Sequence, residues 1–564
     1  MAALPTVQMF DPRVNISASK QYSVLRTGTD ITYKEFPTNT VSNTNINFNC
    51  PPPSLNTIID RQIFLKLGVN LKFTGTAPVG QRLLQNHNDS FRAFPISGVM
   101  SNLQVTINNN SMNINLQEML SCLTRYHNPQ HVRDRNFSIF PSCLDKSQNY
   151  SDMVGLNTNP LASYGENSYE SPRGAFPISV LSNNVSSGGP TTAEINADLV
   201  EPLIISPLLV GDDTGPGFVN INQFTVNIVF DSNLGYMWSH SSAGGSVLGS
   251  VVVTITRASL LFTYITPNPL TPIPATSVFG YYPIVPYITG GSSLAPLATA
   301  EVTSNTITLL SVPKKIYVYA RRRNADKTFN TTDSFLSIEN ISVTYKNKVG
   351  ILSGATKQHL YNVAIKNGCS MSWEEWSGEG VIDLSSGNQF GTVGSVLCLT
   401  MSDIGMDELT SVGLVDQNQL QVKCTFKNQN RTDSINYDFY ILTVSEGVFS
   451  VYNGHSSTQV GVLNQQDVLM SRNSPVVDYK LIENIYGGSF LEGLKSVWDG
   501  IKTGVSEVSS LVAPLMPLVK PAMGMLGLGA PVGGDLGIDG GRRRRRRARK
   551  GGRMISRSEL ARNF

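Results

Sequence analysis

The segment Trp373-Glu374-Glu375-Trp376 is the part of the sequence that most resembles a catalytic site. Sugar-cleaving enzymes use a pair of carboxyl groups, one as the acid and the other as nucleophile or base. Neighbouring residues of a strand point to opposite faces, however, so these two glutamates would diverge. We therefore interpret the segment as an exposed loop or a subunit contact.

Two histidines have the spacing of metal ligands on one helix face. His127 and His131 are four residues apart, but Pro129 lies between them and would interrupt such a helix. We interpret both as loop or interface residues. The sequence also lacks the motifs of serine hydrolases, zinc proteases and P-loop proteins. It therefore predicts no enzyme, no metal site and no cofactor.

The run Arg321-Arg322-Arg323 follows a segment rich in aromatic and β-branched residues. Exposed arginines neutralise nucleic-acid phosphates, so nucleic-acid contact is one interpretation of this run. At the end of a strand, such a cluster more often faces solvent or a neighbouring subunit. We predict that these three arginines do so.

A denser basic run lies near the end of the sequence. Residues 541–564 contain eleven Lys and Arg and one Glu, a net charge of +10, whereas the rest of the chain carries −7. Such a run repels itself and is predicted to be disordered without a polyanion. Nucleic-acid binding and nuclear import would use the same residues. The predicted nucleic-acid-binding residues are Arg542, Arg543, Arg544, Arg545, Arg546, Arg547, Arg549 and Lys550.

The stretch at 489–541, before this tail, begins with helical periodicity. Ser489 and Glu492 match a helix capping box directly after two glycines. The helix either packs on the protein's own core or lies on a membrane surface or a partner, which Trp498 between two lysines favours. Prolines interrupt the apolar residues that follow, so no membrane-spanning helix is predicted. The predicted membrane- or partner-facing residues are Phe490, Leu494, Val497, Trp498, Ile501, Val505 and Val508.

The remaining sequence has the composition of a β protein. Only 15% of the 564 residues are charged, against about 25% in an average soluble protein. This low charge indicates that other subunits cover much of the surface. Helical patterns occur at 116–126 and 357–365. Short β-branched and aromatic runs predict strands at 104–107, 224–230, 251–265, 316–320, 341–345, 420–426 and 438–444.

The two halves of this strand-rich region repeat three short motifs in the same order. Asp-Ser-Phe occurs at 89–91 and 333–335, Asn-x-x-Val-Thr at 102–106 and 340–344, and Asn-Gln-x-x-Val at 222–226 and 418–422. A proline-rich segment at 267–274 separates the halves and predicts an extended linker. Two similar β units of about 200 residues fit jelly rolls better than immunoglobulin-like domains of about 100 residues.

Two further segments resemble a known family. Residues 45–54, Asn-Ile-Asn-Phe-Asn-Cys-Pro-Pro-Pro-Ser, and Ile-Ile-Asp-Arg at 58–61 resemble the opening of double jelly-roll major capsid proteins. These are the proteins of Polinton-like viruses, virophages and their adenovirus-hexon relatives. Residues 312–321, Val-Pro-Lys-Lys-Ile-Tyr-Val-Tyr-Ala-Arg, resemble the strand that opens their second roll.

The resemblance implies a structural protein of an icosahedral DNA-virus capsid, built from homotrimers of pseudo-hexagonal outline. Its partners would be neighbouring capsomers, penton and minor capsid proteins, and the viral genome. The protein would be located in the virion and assembled inside the host cell, with the nucleus as one candidate compartment.

The glycines around the amphipathic segment carry a second resemblance. Ile-Tyr-Gly-Gly at 485–488 and Ile-Asp-Gly-Gly at 538–541 are similar to sites that adenovirus-type maturation proteases cleave. The predicted cleavage sites fall between Gly488 and Ser489 and between Gly541 and Arg542. The released pieces would resemble adenovirus membrane-lytic and core peptides in character. Flexible Gly-Gly linkers are the alternative interpretation.

The predicted fold class is all-β: two tandem eight-stranded jelly-roll sandwiches with short helical insertions, followed by an amphipathic helix and a disordered basic tail. Six scattered cysteines and a start without a signal-like segment indicate reduced thiols in an intracellular assembly compartment. The predicted segments are an N-terminal arm (1–40), a first roll (41–266), a proline-rich linker (267–283), a second roll (284–478), an amphipathic segment (479–541) and an arginine-rich tail (542–564).

Two alternatives remain open. A capsid protein with one shell roll and one projecting domain would lack the repeat between the halves. A carbohydrate- or receptor-binding β protein would need a carboxylate pair or an aromatic platform, for which only residues 373–376 are candidates.

Overall fold

Strands make up most of the described chain. The computed structural model describes residues 30–460 except for 39, 55, 86–88, 127–143, 146, 151–177, 209–216, 243–244, 268–275, 310–311, 347, 384–387, 406–417 and 453. The strands of the first half are β1 (Asp30–Pro37), β2 (Asn45–Cys50), β3 (Ile58–Ile59), β4 (Phe64–Thr76), β5 (Asp89–Phe91), β6 (Met100–Ile107), β7 (Asn110–Ile114), β8 (Ile178–Asn183), β9 (Pro190–Pro202), β10 (Phe224–Phe230), β11 (Trp238–His240) and β12 (Val247–Thr266).

The second half continues with strands and two of the helices. Its strands are β13 (Thr276–Tyr281), β14 (Ile284–Leu294), β15 (Thr299–Thr303), β16 (Ile307–Leu309), β17 (Lys315–Arg322), β18 (Ser337–Tyr345), β19 (Lys348–Ile351), β20 (Glu379–Asp383), β21 (Asn388–Gly391), β22 (Leu397–Thr400), β23 (Asn418–Lys427), β24 (Ile435–Val444), β25 (Gly447–Tyr452) and β26 (His455–Val460). The helices of the described chain are α1 (Leu116–Leu123), α2 (Lys357–Lys366) and α3 (Trp373–Ser377), with short 3-10 turns at Ser97–Val99, Leu234–Met237 and Asn324–Asp326.

Each half is a sandwich of two antiparallel sheets. In the first half, sheet A1 has the order β1-β12-β4-β9-β8 and sheet B1 the order β2-β10-β6-β7. In the second half, sheet A2 has the order β14-β24-β17-β22 and sheet B2 the order β15-β23-β18-β19. When the eight principal strands of each half are numbered along the chain, the A sheet of each half has the order 1-8-3-6 and the B sheet the order 2-7-4-5. This is the jelly-roll arrangement, so the predicted double jelly roll is confirmed.

Two of the three repeated motifs lie on equivalent strands in the same register, whereas Asp-Ser-Phe forms β5 at 89–91 but precedes β18 outside any named strand at 333–335. Asn-x-x-Val-Thr lies in β6 and β18, the fourth strands of their rolls, and Asn-Gln-x-x-Val leads into β10 and β23, the seventh strands. Val105 of β6 pairs with Val226 of β10, and Val343 of β18 pairs with Val422 of β23. Equivalent residues therefore have equivalent partners, as duplicated units require.

Alternating burial explains why these segments form strands. In β10, Phe224, Val226, Ile228 and Phe230 are buried, and the three residues between them are half-buried. Burying one such side chain stabilises the fold by about 1.5–3 kcal/mol. All seven strands predicted from this pattern correspond to strands of the two rolls, and both predicted helices correspond to α1 and α2.

Two predicted segments contain strands that the pattern did not reveal. β1 lies within the predicted arm at 1–40, and β13 lies within the predicted linker at 267–283. β1 is an edge strand in which Asp30, Lys34 and Glu35 are exposed, so it lacks an alternating apolar face. β13 forms because β25, far along the chain, pairs with all six of its residues.

The two rolls point in the same direction. β12 ends at Thr266 opposite the first residue of β1, and β24 ends at Val444 opposite the first residue of β14. We call this end of the rolls the basal end and the opposite end the distal end. A small sheet of β13, β25 and β26 joins the rolls at the basal end, where Phe279 packs edge-on against Phe218 at 5.0 Å.

Candidate functional site: the junction between the two rolls

The site residues predicted from the sequence lie outside the described chain. This applies to the predicted nucleic-acid-binding residues at 542–550, the membrane- or partner-facing stripe at 490–508 and both predicted cleavage sites. His127 and His131 also lie outside it. The functional geometry of the described residues is concentrated where the two rolls meet.

The segment at 373–376 is a helix and not the predicted exposed loop. It forms most of α3, which Ser372 caps by accepting a hydrogen bond from Glu375 N, while the Glu375 side chain accepts one from Ser372 N. Trp376 is buried, and its Nε1 donates to Val396 O at 2.7 Å. One glutamate therefore caps the helix and the other, Glu374, is exposed, so the two do not form a catalytic pair. The Ser-x-x-Glu spacing was the sequence signal for this helix.

The prediction that all three arginines at 321–323 face solvent or another subunit is wrong for Arg321. Only 2% of its side chain is exposed. Strand alternation puts Arg321 on the same face of β17 as Tyr317 and Tyr319, and that face is covered by the first roll. Arg322 and Arg323 lie nearer the surface, where Arg323 pairs with Asp438 at 3.0 Å.

Helix α1 of the first roll covers this face of sheet A2. Asn115 begins the helix by accepting a hydrogen bond from Glu118 N. Arg321 donates to Gln117 O at 2.6 Å, to Ser121 Oγ at 3.0 Å and to Glu118 Oε2 at 3.1 Å. One guanidinium group of the second roll is therefore held by three groups on one helix of the first roll.

Tyrosines surround this contact. The hydroxyl of Tyr319 donates to Glu118 O at 2.6 Å, and its ring stacks on Tyr440 at 5.0 Å. After α1, the ring of Tyr126 packs edge-on against Tyr317 at 5.1 Å. The buried face of sheet A2 is thus aromatic, and the hydroxyl group of Tyr319 finds its partner on the first roll.

Arg92 makes a second contact between the rolls at their distal end. It is buried, and its guanidinium donates to Thr328 O at 3.0 Å and Thr331 O at 2.6 Å in the second roll. On the first-roll side it donates to Tyr150 Oη at 2.9 Å, and its Cζ lies 4.0 Å from the centre of the Tyr236 ring. Arg92 therefore holds the loop after β17 against the first roll.

Asp145 completes this distal contact. It is buried, pairs with Arg92 at 3.4 Å, and accepts hydrogen bonds from Tyr150 Oη at 2.9 Å and Asp333 N at 2.7 Å. Burial raises the pKa of Asp145, and the charge of Arg92 opposes this shift. A buried carboxylate with these partners fixes the relative position of two loops, and it contacts no candidate nucleophile.

Sequence reasoning did not find Arg92, Asp145 or Lys327. Each is an isolated charged residue in a loop, without a motif, and its partners are distant in sequence. The only available signal was the repeated Asp-Ser-Phe motif, because Asp333 contacts both loops through its backbone N–H and its carboxylate.

The described residues contain neither a cluster of metal ligands nor a membrane-spanning helix. Within them, no three His, Cys, Asp or Glu side chains are grouped closely enough to hold a metal ion. None of the helices in this part of the chain has the length and apolar character needed to cross a membrane. Its cysteines are buried free thiols, namely Cys50, Cys122, Cys369, Cys398 and Cys424.

Comparison with known sequences identifies the family. The model of the Sputnik virophage major capsid protein first domain matches residues 2–264, and that of the major capsid protein V20 C-terminal domain matches residues 286–447. The capsid protein V20 of Sputnik virophage is 32% identical over 515 residues, which cover 87% of this chain and 86% of that protein. The chain belongs to the virophage major capsid protein family.

Solved structures agree with this family. The chain superposes on the capsid protein in the cryo-electron microscopy structure of the Sputnik virophage with a TM-score of 0.73 and 31% identity, covering 87% of this chain and 98% of that one. The mavirus major capsid protein gives a TM-score of 0.63 at 15% identity, covering 84% and 99%. The second match shows the fold alone.

These findings confirm the resemblance seen in the sequence. The protein is a viral major capsid protein of virophage type and a structural component of the virion. Because both halves are jelly rolls, the alternative of one shell roll with a projecting domain is wrong. The junction is therefore the contact that joins the two rolls of one capsid-protein chain.

Proposed function

We propose that the virophage capsid protein self-assembles into homotrimers, which pack with one another, with penton and with minor capsid proteins into an icosahedral shell. The observation that carries this proposal is an asymmetry between the two rolls. Sheet A2 is covered by α1 of the same chain, whereas in the described part of the chain the equivalent face of sheet A1 carries exposed residues such as Lys72 and Asn196.

The open face of sheet A1 is polar. β4 and β17 are the third principal strands of their rolls. On the equivalent face, β4 carries Lys66 and Asn70, whereas β17 carries Tyr317, Tyr319 and Arg321. Lys66 pairs with Glu35 at 3.5 Å, and Asn70 donates to Asn196 Oδ1 at 2.8 Å. A polar face suits a surface that meets solvent before assembly and a partner afterwards.

Helix α2 is the counterpart of α1, because each helix follows the fifth strand of its roll. Whereas α1 is largely buried, α2 buries Leu360 and Ala364 and exposes His359, Asn362 and Ile365. Within one chain, α1 of the first roll packs on sheet A2 of the second roll. If the equivalent contact forms between chains, α2 of one copy packs on sheet A1 of the next copy. Such a head-to-tail contact closes into a ring when the rotation permits. The family resemblance supports closure at three chains and six rolls.

A large side chain at the centre of the open face tests this assembly. Asn196 is exposed on β9, and we expect Asn196→Trp to give a monomer in light scattering after size-exclusion chromatography, with an unchanged melting temperature. The matched control is Asn113→Trp, at an exposed position of β7 in sheet B1, which should remain trimeric. A trimeric Asn196→Trp protein would contradict the proposed contact.

We also propose that the basic tail contacts the genome. β1 begins at the basal end, and β26 ends in the small basal sheet. The terminal segments on both sides of the described chain therefore start from the same end of the rolls. The basic tail, with a net charge of +10, belongs to the segment that follows β26, and this supports the proposal that the basal end faces the particle interior. Nuclear import, with assembly in the nucleus, is the competing use of the tail.

The segment at 489–541 is proposed to act on membranes after a maturation protease cuts after Gly488. Intact protein should not release dye from anionic vesicles, whereas protein cut after Gly488 should, because Trp498 and its apolar stripe bury at the interface. Trp498→Glu in the cut protein should abolish the release. An inert cut protein, together with one uncut chain in the mass spectrum of particles, would identify this segment as an internal docking helix.

A further inference from the structure

Lys327 lies in a small, partly open cavity between the two rolls. The cavity measures about 40 Å³, which is room for a few water molecules. Lys327 enters it from the turn after Asn324–Asp326, with only 5% of its side chain exposed. The charged and phenolic residues that line the cavity are Arg92, Asp145 and Tyr236 from the first roll and Arg321 and Asp333 from the second.

The ammonium group of Lys327 has poor partners among the described residues. Its nearest carboxylate oxygen, Oδ1 of Asp333, is 3.9 Å away, beyond hydrogen-bond distance. The same oxygen lies 3.9 Å from Arg321, so two cations share it. The ring of Tyr236 is 5.2 Å from Lys327 Nζ, but Arg92 also lies against that ring.

The other carboxylates near the cavity are already occupied. Asp145 accepts hydrogen bonds from Arg92, Tyr150 and the backbone of Asp333. Glu118 on α1 accepts hydrogen bonds from Arg321 and, at 2.6 Å, from Asn324 Nδ2. A charged Lys327 would therefore be buried beside two arginines, and its nearest counter-ion, Asp333, is shared with Arg321. Glu118 and Asp231 also attract it, but both already accept hydrogen bonds from other residues. Burying a charge in this way is costly.

We propose that this cavity is a proton-sensitive lock between the two rolls. With Lys327 neutral, the junction is in a closed state, in which Arg92 holds the loop at 328–331 through the carbonyl groups of Thr328 and Thr331. With a proton on Lys327 Nζ, the ammonium group draws water into the cavity. The carbonyl groups of the loop then lose their hydrogen bonds to Arg92. This loosens the distal contact, while the contact of α1 with sheet A2 persists.

The pH range follows from the direction of the shift. Burial, followed by the charge of Arg321, lowers the pKa of Lys327 to about 7, whereas an unfolded or solvated lysine has a pKa of about 10.4. The closed state therefore binds fewer protons than the open state between these values. Closure weakens as the pH falls from about 10 to about 7 and changes little below that.

Hydrogen exchange on the full chain tests the lock. With rates corrected for intrinsic pH dependence, backbone amides at 328–333 should exchange at least about tenfold faster at pH 6.5 than at pH 9. Lys327→Met, which is always neutral, should be protected equally at both values. Lys327→Arg, which is always charged, should be unprotected at both.

Two controls separate this lock from other titrations. Glu201 is buried in the first roll, and burial raises its pKa to about 7. Any effect of Glu201 on exchange should therefore be the same in wild type and Lys327→Met. Lys314→Met removes a lysine outside the cavity and should keep the wild-type pH profile. If wild type and Lys327→Met lose protection in parallel, or if Lys327→Arg is as protected as wild type at pH 9, the lock does not exist.

Discussion

Replacing the eight basic residues at 542–550 with glutamine will remove most of the salt-dependent affinity of the protein for duplex DNA. If each neutralises one phosphate, log K falls with log salt concentration with a slope of about −7. Such a slope corresponds to a loss of about 10⁴ in affinity between 50 and 200 mM salt. The glutamine variant should show a slope close to that of the two rolls alone. Fluorescence anisotropy over a salt series measures both quantities.

The matched control replaces the seven arginines with lysines. Phosphate contacts of this kind depend on charge and do not read base sequence, so the lysine variant should keep the slope and show the same affinity for unrelated duplexes. The melting temperature of the two rolls should not change in either variant, because the substitutions touch none of the core. An unchanged slope in the glutamine variant would rule out genome contact by the tail and leave nuclear import as its role.

The strands of the rolls could be predicted because their signal is local. In β10, every second residue is a large apolar side chain, and the prediction at 224–230 coincides with the strand. β1 has no such signal, since it is an edge strand with exposed charges at Asp30, Lys34 and Glu35. β13 has none either, because its partner β25 is more than 150 residues away. A strand such as β10 is specified by its own residues, whereas β13 is specified by the strand that pairs with it.

The junction could not be predicted for the same reason. Arg321 belongs to a run of three arginines, and nothing in that run distinguishes it from Arg323. Arg321 lies within β17, on a sheet face that is covered by α1 about 200 residues earlier in the chain. β17 ends at Arg322, so Arg323 lies beyond the strand and outside this cover. Arg321 is buried because the two rolls pack together. A short sequence window covers only one of the two rolls, so it cannot reveal this burial.

These two arginines allow a sharp test of the junction within one motif. Arg321→Met should lower the free energy of unfolding by about 3–5 kcal/mol, because it leaves Glu118 buried without its cation. This is a large fraction of the 5–15 kcal/mol that typically separates folded from unfolded domains. Arg323→Met breaks a half-exposed pair with Asp438 and should cost less than about 1 kcal/mol. Urea unfolding with linear extrapolation measures both.

A second pair of variants assigns the loss to the contact between the rolls. Arg321→Lys keeps the charge but cannot reach Gln117 O, Ser121 Oγ and Glu118 together, so it should recover only part of the stability. Combining Arg321→Met with Glu118→Leu removes the uncompensated carboxylate and should be more stable than Arg321→Met alone. If Arg321→Met and Arg323→Met cost the same, or if Glu118→Leu adds to the loss, the pair of Arg321 with Glu118 contributes little to stability and the rolls are held together by their aromatic contacts.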